Sequence, residues 1–382
     1  MSLDGIEDLY PLAPTQAGMV YHSLVDPAAG VYVGQVCFRL SGQVDPGLMA
    51  QTWDRLVARH AALRVSILWG ELAQPLQAVH SQVTIPWQHL DWRQLAGEEQ
   101  AAAFEDWKAG DRELGFQIDQ APLMRMTLIR LAEDQHWLVW TSHHAIADGW
   151  SVSVLLKEMC AIYRELASDG AGELPPAFQY ARHIAWLESR DMDAAEAYWR
   201  ERLAGFAGPT ELQTAPPDRT ARARAHGANQ SALDRATSDA LRSLSRRCEV
   251  TLYTVLQAAW GILLHRYSDS DDVVFGVTAS GRPPELEGVQ SAVGLFINTL
   301  PVRHVFPAEV SLGAWLRNLQ ADSLEFMKYE FTPLSRINDW SGLAGGRSLF
   351  DTILVLTNYP KDYAEFGRSA GWQVADVEVV DY

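Results

Sequence analysis

Trp137-Leu138-Val139-Trp140-Thr141-Ser142-His143-His144-Ala145-Ile146-Ala147-Asp148-Gly149-Trp150 changes pattern along its length. An apolar strand delivers two histidines to its end. A short loop then holds Asp148 and Gly149, and a helix follows. That helix is expected to be capped by Ser151 and to bury Val152, Leu155, Leu156, Met159, Cys160 and Tyr163. Strand ends beside helix starts are where α/β folds place reactive groups. Gly149 lets the backbone turn sharply or approach a substrate with no side chain in the way. Adjacent strand residues point to opposite faces, so His143 and His144 cannot both face one site and do not form a metal pair.

Working outward, a strand is expected over Tyr32–Leu40. A helix follows, with Asp45 as N-cap, Pro46 at its first position and Leu48, Trp53, Leu56 and Val57 on its apolar stripe. Strands Leu123–Leu131 and His136–Ser142 flank the turn Ala132-Glu133-Asp134. The Gly/Pro-rich stretch Ala167–Pro176 reads as a linker or crossover. Beyond it, helices are expected over Ala194–Leu203, Ser238–Cys248 and Tyr253–Arg266, then a strand over Val273–Thr278 and another over Gly294–Arg303. Ser311 should cap a helix reaching Met327, and Asp351–Thr357 reads as a buried strand. Alternating strands and helices in both halves argue for α/β architecture, divided as 1–170 and 171–382.

Composition sets limits on partners. Against 31 Lys plus Arg stand 48 Asp plus Glu, a net charge of −17 over 382 residues. That balance argues against a nucleic-acid or anionic-membrane surface. The arginines within Arg219–Arg224 read as a solvated loop. Cys37, Cys160 and Cys248 are far apart, with no CxxC spacing, which fits reduced thiols in the cytoplasm. Residues Met1–Tyr10 do not form a signal peptide, and no apolar run approaches the ~20 residues that span a bilayer. Among the 14 Trp, Trp53, Trp140 and Trp260 read as core. His22, His60, His183 and His265 are expected to be non-catalytic.

A histidine at such a strand end suits acyl transfer to an amine. Imidazole titrates near neutrality and can accept the proton the amine must lose, an effect worth roughly 10²–10⁴-fold. Positioning of two tethered substrates contributes through effective molarity. No G-x-S-x-G elbow is present and no thiol is paired with a base, which argues against a covalent acyl-enzyme.

The pattern His143-His144-x-x-x-Asp148-Gly149 resembles the HHxxxDG motif of condensation domains of non-ribosomal peptide synthetases. Other segments resemble that family in its order: Leu12 to Met19, Arg59 to Arg64, Tyr180 to Trp186, Val293 to Arg303, Tyr329 to Pro333, and Leu349 to Asp351. The resemblance implies two chloramphenicol-acetyltransferase-like lobes in a V-shaped pseudo-dimer with a tunnel between them. It implies amide-bond formation between a donor thioester on an upstream peptidyl carrier protein and an aminoacyl acceptor on a downstream one, as in antibiotic biosynthesis. An adjacent adenylation domain is also implied. The chain would need no cofactor of its own, its substrates riding on the phosphopantetheine of the carriers.

By the same resemblance His144 is the central catalytic residue, acting as base or as a hydrogen-bonding positioner, with Gly149 beside it in the site. His143 holds the loop, and Asp148 is structural, pairing across the lobe interface with Arg282. Retention of both histidines disfavours cyclisation domains, and lack of a Glu-Gly-His-Gly-Arg-Glu-like segment disfavours epimerisation domains. Family members run further than the point matching Val377–Tyr382, so the second lobe is expected to lack its last strands and helix. The alternatives are a stand-alone acyltransferase of this fold using coenzyme A thioesters and a non-catalytic carrier-binding platform.

Overall fold

The local signals translate into elements as follows in a computed structural model. It describes residues 5–25, 31–70, 72–168, 174–212, 227, 229–306, 309–343, 347–357 and 371–380. Part of the expected 167–176 linker and all of Arg219–Arg224 lie outside these residues. Two compact units are present. The first comprises the described residues of Met1–Arg190, Arg282–Ile297 and Asn358–Tyr382, and the second those of Asp191–Gly281 and Asn298–Thr357. The first unit therefore extends past residue 170 and takes in two later segments, which differs from a simple division at 170/171.

In the first unit the order is β1 (Ile6–Pro11), α1 (Pro14–Val25), β2 (Val33–Gly42), α2 (Pro46–Arg59), β3 (Val65–Leu68), β4 (Leu76–His80) and β5 (Trp87–Asp91). There follow α3 (Gly97–Glu113), β6 (Met124–Ala132), β7 (Gln135–His143), α4 (Gly149–Ser168) and α5 (Ala181–Glu188), with β11 (Trp372–Val380) from much later in the chain. One sheet runs β11-β2-β7-β6-β5 and a smaller one β1-β4-β3. In the larger sheet only β5 and β6 pair in parallel, while β11–β2, β2–β7 and β6–β7 are antiparallel.

Strand β7 is thus interior, and Leu138, Val139 and Trp140 are buried on it. That explains its continuous apolar run, since an interior strand covered on both faces has no need of polar alternation. Trp140 packs against Trp53 of α2 with ring centroids 5.7 Å apart. Helix α2 begins as expected: the Asp45 side chain accepts from the N–H groups of Gly47 and Leu48, with Pro46 in the first turn. Its end is tied to α4 by Glu158, which receives Arg59 at 2.9 Å and lies 2.7 Å from His60 Nε2. Arg64 donates to the Val57 carbonyl and to Glu7. The Arg59–Arg64 segment therefore braces the junction of α2 with its neighbours, and His60 has a structural partner.

The second unit contains α6 (Met192–Arg202), α7 (Arg235–Cys248), α8 (Leu252–Ser268), β8 (Asp272–Ala279), β9 (Asn298–Val305), α9 (Leu312–Met327), α10 (Leu334–Trp340) and β10 (Ile353–Leu354). Its sheet runs β10-β8-β9, with β10 parallel to β8 and β9 antiparallel. Ser311 caps α9 through a bond from the Ala314 N–H. The alternate residues Val273, Phe275 and Val277 pack with Leu264 of α8. Val274 belongs instead to a cluster with Trp199 of α6 and Ile337 of α10, as the alternation of a pleated strand requires; Ala279, the last residue of the strand, joins that cluster too and departs from the alternation.

Four expectations are corrected. The buried strand over Asp351–Thr357 reduces to two residues, and Ile353, Val355 and Leu356 are exposed. The strand expected from Gly294 begins only at Asn298, because the backbone from Gly294 to Phe296 is bonded to Asp148, Ser151 and Tyr180 in place of a ladder. Ser151 does not cap α4; the helix opens at Gly149, and Asp148 accepts the Ser151 N–H at 2.9 Å. Trp53 and Trp140 are core, whereas Trp260 is only half-buried and its indole N–H reaches Thr352.

Candidate active site

The histidines diverge because β7 ends between them. His143 is its last residue, and His144 opens a single 3₁₀ turn, His144–Ile146. The Tyr32 carbonyl, at the start of β2, receives the His144 N–H at 2.7 Å. Tyr32 sits in the left-handed region with φ 65°, an uncommon conformation for a bulky residue. The Ala145 carbonyl accepts from Gln16 Nε2 of α1 at 2.8 Å. Gln16 is itself fixed, its Oε1 accepting from the Ala13 N–H and its amide paired with Gln77.

His143 is 2% exposed. Its Nδ1 accepts from the Ala145 N–H at 3.1 Å, and its Nε2 lies 3.0 Å from Ser23 Oγ of α1. Burial, reinforced by the adjacent His144, pushes its imidazole down to about 4. His144 is only partly buried, and its Nδ1, itself enclosed, has no hydrogen-bond partner among the described residues.

Asp148 is fully committed. Its side chain is 0% exposed and that of Arg282 2%. Arg282 donates to both carboxylate oxygens, at 3.0 and 3.2 Å. Oδ1 also lies 2.8 Å from Ser151 Oγ, and Oδ2 accepts from the Phe296 N–H at 3.1 Å. Arg282 donates further to the carbonyls of Val289 and Ala292, at 2.6 and 3.0 Å, and its guanidinium stands 4.1 Å from the centre of the Phe296 ring. Asp148 and Arg282 belong to the same compact unit, so their pair lies within one unit, not across two. Gly149 follows directly as the first residue of α4 and is partly buried.

The segment 293–296 is held as tightly as the histidine loop. Gly294 receives the Asp148 N–H at its carbonyl, 3.1 Å away, and donates to Ser151 Oγ at 3.1 Å. Tyr180 donates to the Leu295 carbonyl and lies so close to Gly294 that a Cβ there would overlap its ring. Burial drives the Tyr180 hydroxyl far above the ordinary phenol range, so it stays a neutral donor. His183 packs 4.6 Å from Phe296, and burial together with the Arg282 charge lowers it to about 3.

Sequence reasoning placed His143, His144, Asp148, Gly149 and Arg282 in the site, and the structure brings Asp148 and Arg282 into contact. Ser23 and Tyr32 carry no such mark in the sequence, and Ser151 and Tyr180 read only as a helix cap and as part of an aromatic segment. The Tyr180–Trp186 and Leu12–Met19 segments carried a usable signal, since polar or aromatic residues at set positions in apolar runs mark buried hydrogen bonds. The left-handed Tyr32 leaves no mark in composition.

Elsewhere, burial raises the Cys37 and Cys160 thiols to about 12, so neither is an available thiolate near neutral pH. No group of three or more His, Cys, Asp or Glu among the described residues could hold a metal ion. No helix among them is long and apolar enough to cross a membrane. The second unit contains a cavity of about 320 Å³ beside β9, lined in part by Trp199, Tyr253, Gln257, Arg303 and Phe326. No residue of the His143–Gly149 motif lines it.

A mixed α/β fold with a buried Asp–Arg clamp and a partly buried histidine at a strand end is the class these features define. The condensation-domain family model matches residues 6–378, and the chain belongs to that family, whose members are acyltransferases that form amide bonds in non-ribosomal peptide synthesis. It is 38% identical over 380 residues to one of the linear gramicidin synthase proteins of Brevibacillus parabrevis, covering 98% of this chain and 5% of that protein. It is 31% identical over 379 residues to bacitracin synthase 3 of Bacillus licheniformis, covering 98% of this chain and 6% of that protein. The chain thus spans a small fraction of these relatives. The first condensation domain of the calcium-dependent antibiotic synthetase superposes with a TM-score of 0.78 at 20% identity, over 98% of this chain and 84% of that one. At that identity the match speaks to the fold.

Proposed function

We propose that this domain joins an acyl or peptidyl thioester, carried on the phosphopantetheine of a donor carrier protein, to the amine of an aminoacyl thioester on an acceptor carrier. The amine nitrogen attacks the thioester carbonyl, a C–N bond forms, and the C–S bond breaks. The proton lost by the amine passes to the imidazole of His144 and from there to the departing sulfur. Gly149 leaves the backbone beside that imidazole clear of a side chain.

One observation carries the assignment of His144. The motif has three titratable side chains, and two are already committed. His143 is buried with both ring nitrogens engaged, and Asp148 is enclosed by Arg282, Ser151 and Phe296. His144 alone of the three is not fully buried; its Nδ1 is enclosed without a partner among the described residues, so Nε2 is the atom assigned to the amine. Its backbone is nevertheless fixed by Tyr32, so the ring is presented on a rigid support.

The test is single-turnover condensation with loaded donor and acceptor carriers, comparing the wild type with His144→Ala. Product formation should fall by at least ~10²-fold. Far-UV circular dichroism and Tm should stay unchanged, because the loop is held by backbone bonds that the substitution keeps. A folded variant that retains wild-type turnover refutes the assignment.

A further inference from the structure

We infer that Ser23 of α1 is a positioning residue, which sets the tautomer of His143 and thereby the turn that presents His144. The inference rests on the reading of His144 given above, and its argument is one of donors and acceptors. A hydroxyl has one hydrogen. Ser23 Oγ is 3.0 Å from the Met19 carbonyl, an acceptor only, so its hydrogen is used there. The lone pairs of Oγ are then what face His143 Nε2, 3.0 Å away, and Nε2 must carry the proton.

The other ring nitrogen gives the same answer independently. The Ala145 N–H can only donate, and it points at His143 Nδ1 from 3.1 Å. Nδ1 must therefore be bare. Both ends of the ring select one neutral form, with hydrogen on Nε2, and burial suppresses the doubly protonated form.

The consequence reaches His144 through the backbone. Ala145 immediately follows it in the 3₁₀ turn, and that turn is held at three points: the His144 N–H by Tyr32, the Ala145 N–H by His143, and the Ala145 carbonyl by Gln16. Two of the three holds depend on one face of α1, because Gln16 and Ser23 are seven residues apart, two helical turns. Without the Ser23 acceptor a hydrogen on Nε2 is buried and unpaired, so only the Ala145 N–H still opposes the other form, and the ring begins to carry its hydrogen on Nδ1. That hydrogen would oppose the Ala145 N–H, two donors face to face, and the turn would shift. Small displacements of a catalytic group cost rate out of proportion to their size.

The experiment is Ser23→Ala beside Ser23→Thr, read three ways. Carrier-loaded condensation should show kcat reduced by about 5- to 10-fold in Ser23→Ala, the worth of one hydrogen bond, with KM little changed. Tm should move by no more than about 2 °C, since one half-buried bond is lost. ¹⁵N-histidine spectra, with the His143 signals assigned by their absence from His143→Gln, should show a single Nε2–H tautomer in the wild type and a mixture in Ser23→Ala. Ser23→Thr, which keeps the hydroxyl, should recover both the tautomer and kcat. Ser23→Ala with a pure Nε2–H tautomer overturns the inference, and so does a tautomer mixture with undiminished kcat. A wild-type chain that forms no product but shows the single tautomer refutes the reading of His144 and leaves the Ser23–His143 clamp in place.

Discussion

Truncating Asp148 to alanine leaves Arg282 with its charge buried and its counter-charge gone. The side chain of Arg282 is 2% exposed, so water cannot replace the carboxylate. Breaking a buried pair from one side costs about 3–5 kcal/mol. The Val289 and Ala292 carbonyls and the Phe296 ring still receive the guanidinium, which moves the figure towards the lower end. The Phe296 N–H and the Ser151 N–H also lose their acceptor, and a stranded buried donor costs roughly 1–3 kcal/mol, which moves it back up. A loss of about 4 kcal/mol is a large fraction of an ordinary domain's stability and corresponds to a Tm lower by about 8 °C. Urea denaturation followed by tryptophan fluorescence would read it directly. The double variant Asp148→Leu/Arg282→Met, which removes both charges and keeps the volume, should lose less than Asp148→Ala alone. A loss below about 1 kcal/mol in Asp148→Ala, or single-variant losses that simply add in the double, would refute the clamp. A stable Asp148→Ala with collapsed turnover would instead make Asp148 a direct participant.

Gly294→Ala drives a methyl group into the Tyr180 ring, at φ +155°. It should cost at least ~2 kcal/mol by overpacking, measurable as a lowered urea midpoint; an unperturbed midpoint would show that the Tyr180 contact yields easily. The buried histidines give a pH dependence of definite sign. His143 and His304 are lowered to about 4 and His183 to about 3, each first by burial, from an unfolded value near 6.5. Between those limits the unfolded chain binds more protons than the native one, so stability is at its full value above pH ~6.5 and falls progressively towards pH 4. Urea midpoints measured from pH 7.5 to 4.5 should decline, and the slope should flatten in His183→Phe.

Much of this architecture is readable in the chain, and the failures have physical causes. Asp45 and Ser311 announced their helices because an N-cap acts through residues two and three positions away. Ser151 misled because the same local rule cannot see Asp148 taking the capping role while Ser151 Oγ is used by Gly294. Val293–Arg303 reads as one apolar run, yet its first half serves a carboxylate and a tyrosine distant in sequence. The run after Asp351 is apolar, yet among the described residues only Ile353 and Leu354 have a strand partner, and periodicity does not report partners. At the site, the residue types were legible in His143-His144-x-x-x-Asp148-Gly149. Which histidine would be buried was settled by where β7 stops and by Ser23, a residue 120 positions earlier.

Strand β11 closes the edge of a sheet whose other members were made hundreds of residues before it, with Val380 facing Gln35 and Trp372 facing Gly42. The second unit is threaded inside the chain of the first. During synthesis, β2 therefore emerges with one flank bare and waits for most of the chain to be translated. Until then its backbone offers an unpaired row of donors and acceptors to any extended peptide nearby. Vectorial folding from the amino terminus cannot finish the first unit, so a chaperone that shields that flank, or slow growth at low temperature, should raise the yield of native domain.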